Sequence, residues 1–199
     1  MFTSESNGAE IVCVTCRRLC PRPLEKQAEL IAAAGVKKLI LREKDLTEQE
    51  YQRLAEKMLE RCEILGIECI LHTFSKTAER IGCRKIHIPL HLMSSKLKES
   101  FSTLGCSVHN VEEAVKAQQL GATYLTAGHI FATDCKKGLP PRGLDFLSEV
   151  CRSVSIPVYA IGGINSDNIN SAISAGAAGV CIMSGLMKLS PEDLHQGLQ

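Results

Sequence analysis

The 199-residue sequence predicts an α/β chain closed into a (β/α)8 TIM barrel, and three observations carry that expectation. Eight short, apolar, β-branched runs recur along the chain. Amphipathic helical segments lie between most of them. Several of those segments end in a glycine just before the next run, the punctuation of parallel βαβ units. Eight such units could also spread into a doubly wound sheet. The count favours the barrel, and no Gly-x-Gly-x-x-Gly follows the first run, as a dinucleotide-binding sheet would need. The length is at the small end for that fold, roughly 200 to 400 residues, so insertions must be few. The expectation is one compact domain over 1–199, with 1–10 as an N-terminal leader and a short last helix.

In chain order the predicted strands are 11–15, 38–42, 68–72, 85–89, 106–109, 123–127, 157–162 and 179–184. The clearest helix is 47–65, where Tyr51, Leu54, Ala55, Met58, Cys62 and Leu65 form one apolar stripe at helical spacing. Thr47 and Glu50 make a capping box, and Gly66 stands where a helix-closing glycine belongs. Asn110 with Glu113 opens a helix that Gly121 closes; Asn165 or Ser166 opens one that Gly176 closes. Gly35 and Gly82 end two more, and Ser190-Pro191 begins the last.

Composition narrows the class. Apolar residues make up 45% and charged residues 23%, ordinary for a globular domain. Twenty-three basic and 22 acidic residues are mixed along the chain to a net charge of +1, which argues against nucleic-acid and membrane-surface partners. No apolar run has membrane-spanning length, and MFTSESNGAE has no signal-peptide core, so a cytoplasmic protein is expected. Of the 10 cysteines, Cys62, Cys69, Cys106, Cys151 and Cys181 fall in apolar periodic segments and read as small buried hydrophobes. Cys13, Cys16 and Cys20 form a CxxC-xxx-C run, but Cys13 belongs to a strand and no second pair at zinc spacing follows. Reduced structural thiols are the reading, with no metal.

A barrel carries its active site at the C-terminal ends of its strands. That rule selects Thr15, Arg42 to Lys44, His72, His87 or His91, Ser107 to His109, Gly128 to Lys136, Gly162-Gly163 and Ser184-Gly185. The glycine-bearing turns after strands seven and eight are where such barrels often bind phosphate through backbone N–H groups. Arg42 and Lys44 would face them across the mouth, so the ligand is expected to be anionic at both ends; the bland alternative is a solvated charge cluster. The stretch 127–143, AGHIFATDCKKGLPPRG, reads as a long functional loop. It sets His129 beside Thr133, Cys135, Lys136 and Lys137, a composition suited to proton transfer on an anionic small molecule. His72, His109 and His129 at three strand ends could instead ligate a metal, although no carboxylate accompanies them in a hydrolase pattern.

The segments LREKD (41–45), GCSVHNVEEA (105–114), GHIFATDCKKG (128–138), IPVYAIGGI (156–164) and AGAAGVCIMSG (175–185) together resemble the thiamin phosphate synthase superfamily over nearly the whole chain. That superfamily holds synthases, which join a pyrimidine pyrophosphate to a thiazole phosphate with Mg²⁺ held by aspartates after strands three and four. It also holds a TenI-like subfamily with a metal-independent thiazole tautomerase. The sequence departs from the synthase pattern. His72-Thr73-Phe74 stands where Asn-Asp is usual, His87-Ile88-Pro89-Leu90-His91-Leu92 lacks the carboxylate after strand four, and Ile40 replaces a glutamine. Leu92 cannot supply the hard oxygen that Mg²⁺ needs.

Gly128-His129-Ile130-Phe131 resembles the tautomerase instead. The resemblance implies an isomerase in which His129 shuttles the proton and Lys136 or Arg42 stabilises charge on a substrate carboxylate. Lys44, Ser107, Thr133 and Cys135 would line the substrate site. Gly162, Gly163, Met183 and Ser184 would hold its phosphate. Two alternatives stay open: a divergent Mg²⁺-dependent synthase, and a regulator that binds thiazole or thiamin phosphates without turnover. The expected partner is a phosphorylated thiazole, and a short eighth helix would favour a homodimer.

Overall fold

The computed structural model describes residues 9–133, 136 and 138–195. Eight parallel strands close into a barrel in chain order: β1 (Glu10–Val14), β2 (Lys38–Leu41), β3 (Glu68–His72), β4 (Lys85–Pro89), β5 (Thr103–Val108), β6 (Tyr124–Gly128), β7 (Val158–Ile161) and β8 (Gly179–Ile182). β8 returns to pair with β1, setting Glu10 against Gly179 and Cys13 against Ile182. Around them run α1 (Leu24–Ala33), α2 (Glu48–Ile64), α3 (Ser75–Arg80), α4 (Leu97–Ser100), α5 (Val111–Gln119), α6 (Gly143–Ser153), α7 (Ile169–Ser174), α8 (Ser184–Lys188) and α9 (Pro191–His195).

Two apolar layers hold the barrel, because successive side chains of a strand point to opposite faces. Val12, Val14, Ile40, Ile70, Tyr124, Tyr159 and Cys181 fill the interior. Their neighbours in sequence, such as Cys13, Leu39, Leu41, Leu71 and Leu125, pack outward against the helices. Strands buried on both faces read as continuous apolar runs, which is how the sequence announces them. The two interior tyrosines need space that only glycine leaves. A Cβ on Gly105 would lie 2.2 Å from the Tyr124 ring, and one on Gly179 would lie 2.9 Å from the Tyr159 ring.

The predicted stripe of α2 is the buried one: Tyr51, Ala55, Met58 and Cys62 are fully enclosed, with Leu54 and Leu65 half-buried. Its capping box is formed, Thr47 N–H donating to Glu50 at 2.9 Å and Glu50 N–H to the Thr47 hydroxyl at 3.3 Å. Tyr51 reaches through to the sheet, where its hydroxyl donates to Leu41 O and accepts from His72 N–H, both at 2.7 Å. A helix residue thus ties the ends of β2 and β3 together.

Several boundaries differ from expectation. β1 starts at Glu10, within the stretch read as a leader. β5 begins at Thr103, since Thr103 and Leu104 pair with Lys85 and Ile86 ahead of the glycine that interrupts the apolar run. β8 stops at Ile182 because Met183 turns out of extended conformation and its carbonyl already accepts Met187 N–H. α7 starts at Ile169, later than Asn165 or Ser166. Asn165 spends its side chain on Asp167 N–H, and Asn168 spends its own on Asn165 N–H and Gly163 O, holding 165–168 as a turn. The last helix is short, as expected, and is capped by reciprocal bonds between Ser190 and Asp193. Among the described residues no helix is long and apolar enough to cross a membrane.

Candidate active site

A cavity of about 290 Å³ opens at the C-terminal mouth of the barrel. Arg42, Lys44, Ser107, His129, Thr133, Lys136, Gly162, Gly163, Met183 and Ser184 all line it, together with His72, His87, Pro89, His109 and Thr126. The described residues expected to bind or turn over the substrate therefore meet in one pocket, whereas Thr15, Glu43 and Gly185, also selected at strand ends, do not line it. Cys135 lies outside the described residues, as do Asp134 and Lys137. His91 sits beyond the strand end and is exposed, so His87 is the imidazole that β4 delivers.

His129 stands on an extension of β6 and not on a free loop. Ile130 N–H donates to Ile161 O and Phe131 N–H to Gly162 O, continuing the β6–β7 ladder, while His129 O accepts Arg142 N–H. The side chain is 7% exposed, and its Nε2 lies 3.3 Å from Leu139 O. A carbonyl only accepts, so Nε2 carries a hydrogen, and in the neutral ring the lone pair is on Nδ1. Gly162 packs directly beneath: a Cβ there would come 2.3 Å from His129 Cβ, and its φ of +99° suits glycine. Gly163, at φ +69°, is equally confined, its Cβ position 2.4 Å from Ala132 O. The glycine pair and the histidine are thus one packed unit.

Opposite stands a cationic wall. Arg42 and Lys44 share a face with pocket-facing Ile40, and the residue between them turns the other way. Glu43 is 3% exposed and accepts the Thr15 hydroxyl at 2.7 Å and Arg17 N–H at 3.0 Å. The Thr15 oxygen in turn accepts Arg42 N–H at 2.9 Å. Arg17 also bridges to Asp45 at 2.6 Å. Burial pushes the Lys44 ammonium below its ordinary pKa, and the nearby charges of Arg42 and Lys136 add to that effect. Among the described residues no carboxylate faces this cluster across the pocket, so it gains by binding an anion. Replacing Glu43 by leucine would strand the Thr15 hydroxyl and Arg17 N–H. We expect a loss of about 2 to 4 kcal/mol in urea unfolding, with weaker anion binding. A loss below about 0.5 kcal/mol would show that solvent replaces the carboxylate.

The floor is polar but neutral. His72 and His87 stack with ring centroids 5.6 Å apart. Burial first, then His87, Arg42 and Lys44, hold His72 down to about 2. Burial, then Lys44 and Arg42, hold His87 down to about 3. His72 Nδ1 bonds to the Thr73 hydroxyl at 2.5 Å, and His87 bonds to Tyr124 at 3.0 Å and Ser107 at 2.8 Å. His109 lines the cavity but turns its ring to a neighbouring helix residue. Its N–H and its ring Nδ1 both engage Glu113, which also donates to the Asn110 cap, so the three-histidine metal reading does not assemble. Among the described residues no three His, Cys, Asp or Glu side chains converge, and no carboxylate lines the pocket. Carboxylates for Mg²⁺ are therefore missing from the ends of β3 and β4, where the imidazoles of His72 and His87 stand instead.

Sequence reasoning did not select Tyr124 or Thr126, and it took Glu43 as part of the Arg42 to Lys44 stretch without its bond to Thr15. Tyr124 and Thr126 lie inside the apolar run of β6, where period-two alternation with pocket-lining Gly128 was the available signal.

Comparisons with known proteins agree with this architecture. A sequence model of the thiamine monophosphate synthase family matches residues 11–186. A thiamine-phosphate synthase of Fusobacterium nucleatum is 32% identical over 196 residues, covering 96% of this chain and 94% of that protein. One of Clostridium botulinum is 33% identical over 184 residues, covering 89% and 90%. A solved structure, a thiamine phosphate pyrophosphorylase from Pyrococcus furiosus, superposes with a TM-score of 0.81 at 26% identity, covering 96% of this chain and 92% of its own. On fold, motif order and sequence alike, the chain belongs to the thiamine monophosphate synthase family.

Proposed function

We propose that the protein is an isomerase of thiamin biosynthesis, a thiazole tautomerase that aromatises a carboxythiazole phosphate, with His129 as the proton shuttle. The observation that carries this reading is a buried imidazole, its Nε2 held by Leu139 O, in a pocket whose described walls hold three cations, several hydroxyls and no carboxylate. Tautomerisation breaks one C–H bond on the ring and forms another at an exocyclic carbon, so nothing is gained or lost overall. His129 Nδ1 takes the first proton, and the imidazolium returns a proton to the second carbon. The negative charge between the two steps spreads toward the substrate carboxylate, where Arg42 and Lys136 stabilise it. Gly162, Gly163, Met183 and Ser184 hold the phosphate, and Lys44, Ser107 and Thr133 complete the substrate wall. The nine described cysteines are free thiols, which suits a reducing cytoplasm.

The second reading is a divergent thiamin phosphate synthase, a transferase. The names of the relatives favour it over the isomerase. The donor set at the ends of β3 and β4 speaks against it, because a pyrophosphate–Mg²⁺ pair finds hydroxyls but no carboxylate on the described pocket wall.

One assay separates the two. The carboxythiazole phosphate tautomer is supplied with EDTA and no second substrate, and then with Mg²⁺ and the pyrimidine pyrophosphate. Aromatisation in EDTA supports the isomerase. Turnover only in the second mixture gives the transferase. Tight binding of the aromatic product without turnover in either would leave a phosphate-binding regulator.

A further inference from the structure

Behind the pocket-lining Ser107 lies a hydrogen-bond chain that the proton shuttle does not use. The Tyr124 hydroxyl is 3.0 Å from His87 Nδ1, and His87 Nε2 is 2.8 Å from Ser107 Oγ. The chain exists because β5 carries glycine at 105, where any Cβ would strike the Tyr124 ring and His87 Nδ1 together.

Its direction follows from burial. A neutral imidazole has one N–H, so the chain runs wholly one way or wholly the other. Were Nδ1 the protonated nitrogen, the tyrosine hydrogen would be left without an acceptor, since His87 is the one hydrogen-bond partner of that hydroxyl among the described residues. Burying a donor hydrogen without an acceptor is the costlier arrangement. Tyr124 therefore donates to Nδ1, and Nε2–H donates to Ser107 Oγ. Thr126 Oγ, at 3.2 Å, supplies a second donor to the same oxygen. With its lone pairs so occupied, Ser107 turns its own hydrogen to the pocket.

We propose that Tyr124 and His87 are positioning residues that fix Ser107 as a hydrogen-bond donor toward an anionic oxygen of the ligand. The inference rests on the reading that the pocket takes a phosphorylated, anionic small molecule; the orientation of the chain does not.

Two measurements test it. Nitrogen-15 NMR of the ligand-free protein should find His87 as the Nε2–H tautomer, unprotonated from pH 8 to 5. An Nδ1–H tautomer would overturn the proposal. A double-mutant cycle then reads affinity for the aromatic carboxythiazole phosphate by calorimetry. Tyr124→Phe should weaken binding by about fivefold in the otherwise unchanged protein, and by less than about twofold when Ser107 is already alanine. Equal losses in both backgrounds would mean that Tyr124 acts on the fold and not through Ser107. His87→Gln, whose amide nitrogen reaches the Nε2 position, should keep most of the affinity that His87→Leu loses. If the unchanged protein binds no carboxythiazole phosphate, the functional reading falls, and inorganic phosphate serves as the probe for the same cycle.

Discussion

Alanine in place of His129 is expected to lower turnover of the carboxythiazole phosphate by about 10²- to 10⁴-fold, the range a positioned acid–base group contributes. Affinity for the aromatic product should change far less, because that product has no proton left to move. The backbone at this position is secured from both sides, by the Ile130–Ile161 and Arg142–His129 bonds, so the variant should keep the pocket's shape. Lost turnover with retained product binding would assign the proton transfers to this imidazole. Turnover within about threefold of the unchanged enzyme would remove His129 from the chemistry and shift attention to Lys136, which lines the same cavity. Deuterium exchange at the substrate's ring carbon gives a second readout, since it follows the first transfer alone.

The barrel and most of this site were legible in the sequence because one geometric rule governs both. Strands buried on two faces leave apolar runs that can be counted, and strand order then fixes which residues reach one mouth. Arg42, Ser107, His129, Gly162 and Ser184 come from five different strand ends, yet the rule alone assembles them. What it could not give were pairings across long sequence separation. Glu43 sits between two cations and read as part of a charge cluster. Its partner Thr15 is 28 residues away, and only the β1–β2 register brings them together. Tyr124 read as core, which it is, but its hydroxyl is the first donor of a polar chain that needs Gly105 on the neighbouring strand to exist. Helix starts failed locally for a related reason: Asn165 carries a capping side chain, but the turn spends it on Asp167.

Mild acid should destabilise the protein steeply, and the pocket floor is the reason. His72 and His87 are neutral in the fold, held to about 2 and about 3 by burial and by the cations above them. In the unfolded chain an imidazole titrates near 6.5. As pH falls below that value the unfolded state binds two protons that the folded state refuses until about pH 3. Stability therefore drops with acidification through that window. Each group costs about 1.4 kcal/mol per pH unit, so from pH 6.5 to 4.5 the pair removes about 5 kcal/mol. Against a typical total of about 5 to 15 kcal/mol, that loss removes between a third and all of the stability. Urea midpoints measured from pH 7.5 to 4.5 should fall accordingly, and the double variant His72→Gln, His87→Gln should lose most of the slope. Carboxylates such as Asp45, held low by Arg17, act in the same direction but only where they begin to protonate, below their ordinary range. A slope that the double variant leaves unchanged would mean that both imidazoles take up protons in the folded pocket. The floor beneath Arg42 and Lys44 would then be charged at mildly acidic pH, and its neutral tautomers could no longer orient Ser107.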